Sequence, residues 1–435
     1  MLKKTIAVII SSLLICSLAA CSGQNSTSQS SASSTASTAS QSSTNGSEQT
    51  QSSQTDESTQ SSAAESSQTS AETSTAGYTA NTNGKLDTTD LFTTRDLTQS
   101  ADLTNAQTII AADGQTVNIT DEGVYTVTGT ASDFTIRVEA DSNAKVQIVL
   151  DGVSITNDSF PVIYVVSADK CFVTTTNSEN TLSVTGSFEA DGDTNTDAVI
   201  FSKDDLVLNG TGTLTINSAE GNGITGKDDI KITGGTYNIT SALDSIEAKD
   251  SISIYDGTFV INSSKDGLHS ENSDDDTKGQ IYIMGGSFNI TASADAIEGI
   301  TVVQIDGGNF ELNASEGIEG TYIQINDGTF NINASDDGIN GAQKSNSFGT
   351  PTIEINGGSI TIVMAQGDTD AIDSNGDIIV NGGTITITAP TSSFDYDGTA
   401  TYNGGTIIIN GTQVDSIPQS MMGGGGRGGM GGRGF

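Results

Sequence analysis

Carboxylates recur in this sequence at a spacing that invites a divalent cation. The unit is an acid, a small residue, an aliphatic, then a second acid or polar residue. It runs Asp244-Ser245-Ile246-Glu247, Asp266-Gly267-Leu268-His269, Asp295-Ala296-Ile297-Glu298, Glu316-Gly317-Ile318-Glu319, Asp337-Gly338-Ile339-Asn340 and Asp370-Ala371-Ile372-Asp373, with Asn222-Gly223-Ile224-Thr225 as a weaker first copy. If the copies stack about 4.8 Å apart, neighbouring like charges repel by about 0.9 kcal/mol in water and about 3.5 kcal/mol at an effective dielectric of about 20. Hard oxygen ligands in irregular cages suit Ca²⁺, so the acids of the last six copies are candidate calcium ligands. The alternative is a solvated acidic surface in which Asp serves as a turn former. In both readings the aliphatic points inward, the small residue permits a tight bend, and the acids lie on the outside.

A second register carries cations: Lys203-Asp204-Asp205, Lys227-Asp228-Asp229 and Lys249-Asp250, with Lys265-Asp266 nearby. Stacked lysines could hold the carboxylates of an acidic sugar chain while the adjacent Asp residues hold bridging calcium. Equally, each Lys could simply neutralise its neighbour at the surface. Nitrogen and sulfur chemistry has little material: one histidine, His269, and three cysteines, Cys16, Cys21 and Cys171. That excludes a zinc centre, a haem site or a disulfide scaffold. A formal charge of −38 argues against nucleic acid and anionic membrane surfaces as partners.

The elements that position these residues follow from a repeat. A Gly, a Thr or Ser and an alternating apolar strand recur at Gly212, Gly235, Gly257, Gly286, Gly328, Gly358, Gly383 and Gly405, with Gly308-Asn309-Phe310 in the same phase. Two longer intervals hold polar insertions, Asp274 to Gly279 and Gln343 to Pro351. Period-two alternation rich in Thr, Ile, Val and Phe predicts strands, and Gly-Gly or Asp-Gly between them predicts turns. No single unit can bury a core, so the units must stack. A period of about 22 residues suits a right-handed parallel β-helix better than a propeller or a nine-residue calcium roll, and predicts an all-β rod of about 12 coils beginning near residue 105.

The ends differ in kind. Lys3, Lys4 and the apolar run Thr5 to Leu18 read as an export signal over residues 1–20. Leu18-Ala19-Ala20-Cys21 resembles a bacterial lipoprotein cleavage box, which makes Cys21 the expected lipidation site and the outer face of the plasma membrane the expected location. Residues 21–84 are rich in Ser and Thr and predict a disordered tether. The β-helix domain spans residues 85–418, and residues 419–435 form a Gly/Met/Arg tail of low complexity.

Several segments carry a family likeness. Asp151-Gly152-Val153-Ser154-Ile155-Thr156-Asn157, Pro161-Val162-Ile163-Tyr164-Val165, Phe201-Ser202-Lys203-Asp204-Asp205-Leu206 and the Asp-Gly-Ile steps resemble the bacterial cell-surface carbohydrate-binding-domain family over roughly Asp102 to Ile417. The resemblance implies a pectate-lyase-like parallel β-helix that binds calcium along its length and binds polygalacturonate or cellulose without cleaving it. His269, Asn222 and Thr225 depart from the acidic pattern.

Elimination chemistry would need a strong base beside calcium-held uronate. No Arg lies between Arg137 and Arg427, so only Lys203, Lys227 and Lys249 could serve. The expected protein is therefore a monomeric binder of polysaccharide rather than an enzyme, with a lysine-based lyase and an adhesin-like spacer rod as the alternatives.

Overall fold

The structure, a computed structural model, describes residues 84–367 and 369–419. Every regular element among them is a strand, and the strands wind into a parallel β-helix with three faces. Each coil contributes one strand to the first face, turns onto the second, then onto the third. The first face runs twelve strands deep, from Thr116–Ile119 to Ser392–Tyr396, each paired in parallel with the next. The helix opens at Gln107–Ile110 on the second face. It closes where Thr412–Val414 folds back antiparallel on Thr406–Ile409.

Alternation explains which side chains point inward. On the first face Ile224, Ile246, Leu268, Ile297, Ile318, Ile339 and Ile372 follow one another in exact register and are fully buried. On the third face Tyr237, Phe259, Phe288, Phe310 and Phe330 form a continuous internal stack with centroid separations of 5.3, 4.7, 4.7 and 4.5 Å. Such ring pairs add roughly 0.5–1.5 kcal/mol each beyond area burial. The Gly that precedes each of these strands makes the corner from the second face. Gly308 has φ of 116°, and a Cβ there would press on the Gly286 carbonyl of the preceding coil. The same corner carries an amide ladder: Asn403 donates to Asn381, Asn381 to Asn356, and Asn356 to Asn326 at 2.7–2.8 Å.

Residues 84–106 are not a coil. This segment lies lengthwise across the outside of the second face as a strap. Its Leu86 amide donates to Gln304 Oε1, its Phe92 ring sits edge-on to Tyr255 at 5.6 Å, and its Gln99 side chain bonds both Thr233 and Gly210. Lys85 and Arg95 stand over the Tyr322 and Phe172 rings. The outward side of the second face thus mixes the rings of Phe172, Tyr255, Tyr282 and Tyr322 with polar side chains such as Asn209, Thr233, Gln304 and Gln324, and the strap covers both. Phe92 and Asp96 are both fully buried, and Lys170 pairs with Asp96 at 3.4 Å. The sequence shows no period here, so only the tertiary contacts reveal the strap within the domain of residues 85–418. Tyr237 is in the core stack, while Tyr255, Tyr282 and Tyr322 face the strap. The lipidation residue Cys21, the signal, nearly all of the tether and most of the tail lie outside the described residues.

Candidate functional site

The acid-bearing motif builds the first face. Its two polar positions form two columns: Asp244, Asp266, Asp295, Glu316, Asp337 and Asp370 in one, and Glu247, His269, Glu298, Glu319, Asn340 and Asp373 in the other. The small residue between them is required by the neighbouring coil, not by a bend. None of Gly223, Gly267, Gly317 and Gly338 has positive φ, and a Cβ on Gly317 would meet the Gly338 carbonyl at 2.4 Å. Ser and Ala at the same position are the largest residues used.

The acids are not an exposed surface. Asp244, Asp266, Asp295 and Glu319 are buried, which corrects the expectation that the ladder lies outside in solvent. Burial is possible because the first column is itself a hydrogen-bond ladder. The Asp244 amide donates to Asn222 Oδ1, the Asp266 amide to Asp244 Oδ1, and the Asp295 amide to Asp266 Oδ1, at 2.9–3.0 Å. The Asp370 amide donates to Asp337 Oδ1 in the same way. One carboxylate oxygen therefore serves the backbone, and the other is left for a cation.

Some of those cations belong to the chain. Lys265 lies 2.8 Å from Asp244 and 3.3 Å from Asp266, and His269 Nδ1 lies 3.4 Å from Asp244. Against the opposing effect of burial, hydrogen bonds from His269 and Lys265 hold the Asp244 carboxyl down at about 2. Lys344, from the second insertion, sits 2.8 Å from Glu298 and 2.5 Å from Glu319. The two insertions join over this edge, where Ser345 Oγ donates to the Asp276 carbonyl at 2.6 Å and Ser347 Oγ to its carboxylate at 2.7 Å. His269 occupies the strand Leu268–Ser270 in register with Glu247 and Glu298.

Elsewhere the charge is uncompensated. Burial, then the charges of Glu316, Glu319, Glu298 and Asp266, push the Asp295 carboxyl up to about 9. Burial raises Glu319 to about 7 despite Lys344, and raises Asp337 to about 7 and Asp373 to about 6. Among the described residues, Asp295, Glu316 and Glu319 bring one oxygen each within 4.8 Å of one another, as do Asp266, Asp295 and Glu298, while Asp244 and Asp266 bring an oxygen each within the same distance of a His269 ring nitrogen. Asn340 donates through Nδ2 to Glu316 and Glu319, while its Oδ1 is buried and without a hydrogen-bond partner. An all-oxygen donor set holding more negative charge than its own lysine offsets, with an amide oxygen unsatisfied beside it, fits a hard divalent cation. Asp337, Asp370 and Asp373 continue the columns without forming such a triplet. Glu247 is engaged by Asn222 at 2.6 Å and Thr225 at 3.3 Å, with Lys227 at 3.8 Å.

The lysine register lies at the corner between the first and second faces. Ser202, Gly226 and Ala248 pair in register, so the residues that follow them, Lys203, Lys227 and Lys249, stand one per coil in a single row. All three are half-buried; Lys249 pairs with Asp274, and Lys203 and Lys227 flank the Tyr164 and Phe201 rings. Beside them Asp205, Asp228 and Asp229 converge within 4.8 Å. Burial, a hydrogen bond shared with Asp250 and the surrounding acids push Asp228 up to about 7, and burial with the Asp229 charge takes Asp205 to about 6. Asp250 is held by Lys278 and Asn272, and Asp204 accepts the Ala168 amide at 3.0 Å. Lys344 was missed in the sequence because it sits in an aperiodic insertion. Cys171 is fully buried, with its thiol pushed up to about 12 by desolvation.

A three-faced parallel β-helix with an acidic column along one face defines the class of protein. The profile of carbohydrate-binding domain-containing proteins matches residues 113–369 and 318–416. A carbohydrate-binding domain-containing protein of Acetivibrio thermocellus is 40% identical over 200 residues, covering 45% of this chain and 70% of that protein. The chain belongs to this carbohydrate-binding domain family. A solved polysaccharide lyase-like protein from C. thermocellum, studied as a gadolinium derivative, is similar at 26% identity and a TM-score of 0.44, over 60% of this chain and 98% of that one.

Proposed function

We propose that this protein binds an acidic, polyuronate-like polysaccharide through calcium, without cleaving it, while held at the bacterial cell surface by lipid on Cys21. The observation that carries this reading is the row of Lys203, Lys227 and Lys249 beside the Asp205, Asp228 and Asp229 triplet. A polyuronate lying along the coil axis would bring carboxylates to this row of lysines. Exchange of the existing surface ion pairs for sugar carboxylates costs little, since such pairs are worth about 0–1 kcal/mol. Calcium on the Asp triplet would neutralise it and bridge to the same chain.

The ladder around Asp295, Glu316, Glu319 and Asn340 would hold calcium that stabilises the coils themselves. Binding without cleavage is supported by the base inventory. No Arg stands on any coil after Arg137, and the three lysines are charged partners of carboxylates or lie against rings. The test is retention of the protein on polygalacturonate with calcium and with chelator, followed by ultraviolet absorbance. Calcium-dependent retention with flat absorbance is expected. A steady absorbance rise from unsaturated uronate would show a lyase instead, and equal retention in chelator would remove calcium from the reading.

A further inference from the structure

The single histidine of the chain stands in the second polar column between Glu247 and Glu298, and its two ring nitrogens meet different surroundings. His269 Nδ1 lies 3.4 Å from Asp244 Oδ2, an oxygen that Lys265 also reaches at 2.8 Å, so that side of the ring is filled from within the chain. The other side is not. Nε2 is buried without a hydrogen-bond partner, in a residue only 6% exposed. Two carboxylate oxygens flank it, Glu298 Oε2 at 3.5 Å and Glu271 Oε2 at 3.6 Å.

These separations are too long for an N–H···O bond, which spans about 2.7–3.2 Å. They suit two ligands of one small cation: bonds of about 2.0–2.2 Å meeting near the tetrahedral angle leave the ligand atoms about 3.3–3.6 Å apart. The neighbours complete the pattern. Asp244, an anion held at about 2, can only accept, so Nδ1 carries the proton and the lone pair of the neutral ring falls on Nε2. Carboxylates orient metal-binding imidazoles in this way. Glu298 is fixed by Lys344, which takes its other oxygen, Oε1, at 2.8 Å. The Glu271 amide is tied to the Ala248 carbonyl at 3.1 Å, while its side chain is 54% exposed and offers both an adjustable ligand and an entrance from solvent.

We infer that His269 Nε2, Glu298 and Glu271 form a site for a borderline transition-metal dication of the Zn²⁺ or Co²⁺ kind. The imidazole makes the selection: calcium takes hard oxygen ligands, whereas zinc and cobalt accept nitrogen together with carboxylate. One histidine is too few for a zinc centre built of nitrogen and sulfur, the ground on which the sequence excluded one, but with two carboxylates it suffices. Glu271 stands just before the first insertion and Glu298 is held by Lys344 of the second, so the ion would fasten both insertions to the edge of the first face. Nothing in this depends on polysaccharide binding.

Because His269 is the one histidine, its two nitrogens give a single pair of resonances in full-length, untagged protein labelled with ¹⁵N-histidine. Zn²⁺ added to protein already in calcium should move the Nε2 resonance as one equivalent binds and leave Nδ1 protonated; calcium alone should not produce that shift. Co²⁺ should give visible d–d absorption that Zn²⁺ then removes. Glu271→Gln, at a mostly exposed side chain, should weaken Zn²⁺ binding about tenfold or more and leave the calcium-dependent melt unchanged. His269→Gln should abolish the Co²⁺ spectrum; where that variant fails a thermal melt, the wild-type spectra and Glu271→Gln decide the matter. An Nε2 resonance indifferent to Zn²⁺ overturns the inference and leaves that nitrogen to a proton. A shift at Nδ1 overturns it too, by placing the ion with Asp244 and Asp266, as does Zn²⁺ binding at full strength in Glu271→Gln.

Discussion

The carboxylate of Asp244 accepts a hydrogen bond from the backbone amide of Asp266, one coil further along, at 3.0 Å. The acid therefore has two duties: Oδ1 holds the next coil, and Oδ2 faces Lys265 and His269. Repeated along the column, this arrangement lets the protein bury carboxylates that would otherwise stay in water. Three side chains of the protein offset part of the charge, and the middle of the column is left for an external cation.

Calcium should raise the melting temperature, and chelator should lower it by several degrees, because an ion bound only to the folded state stabilises by mass action. Asp295→Asn separates this from a general salt effect. The variant should melt higher than wild type in chelator, since the Asp295 carboxyl is disfavoured as an anion by burial and by Glu316, and should gain less from calcium. Identical calcium responses in the two proteins would count against the central site.

In chelator, stability should fall as pH rises from about 5 to about 9. Asp295, Glu319 and Asp337 have folded-state values of about 9, about 7 and about 7, above the roughly 4 of an unfolded carboxyl, so the folded protein holds more protons across that window. His269, raised by Asp244 and Glu298 against burial, acts in the same sense, its contribution being lost as pH rises through its folded value. Asp244, held at about 2, contributes above about pH 4 and is lost only below it. Calcium should flatten the slope. A melting temperature that climbs from pH 5 to pH 9 in chelator would contradict the uncompensated column.

Phe92→Ala should cost about 3–5 kcal/mol in denaturant unfolding, the usual range for a fully buried Phe. The loss should come with new protease cleavage between residues 84 and 106, because that ring anchors the strap against Tyr255 and Tyr282. Unchanged proteolysis would show that the strap is held by its hydrogen bonds alone.

Changing Lys203, Lys227 and Lys249 together to Ala should weaken polygalacturonate retention without altering the thermal melt by more than a few degrees, since all three are partly exposed and their pairs are weak. A triple variant retained as well as wild type would move the acidic ligand to another face.

The repeat was legible because strand alternation and coil period are local: side chains alternate every residue, and a coil must return to the same corner. Inward Ile224 through Ile372, the corner at Gly308 and the two polar columns all follow from that. So does the single row of Lys203, Lys227 and Lys249, whose spacing matches the coils that carry them. What the period could not contain was decided in three dimensions. The strap over the second face, Lys344 reaching Glu298 and Glu319, and the junction of the insertions at Ser345 and Asp276 are contacts between segments far apart in the chain and outside the repeat. Burial of the acids belongs to the same group. Sequence shows that Asp244 and Asp266 recur in phase, but only the stacked coils show the amide of one satisfying the carboxylate of the other, which is the condition for a charge to leave water.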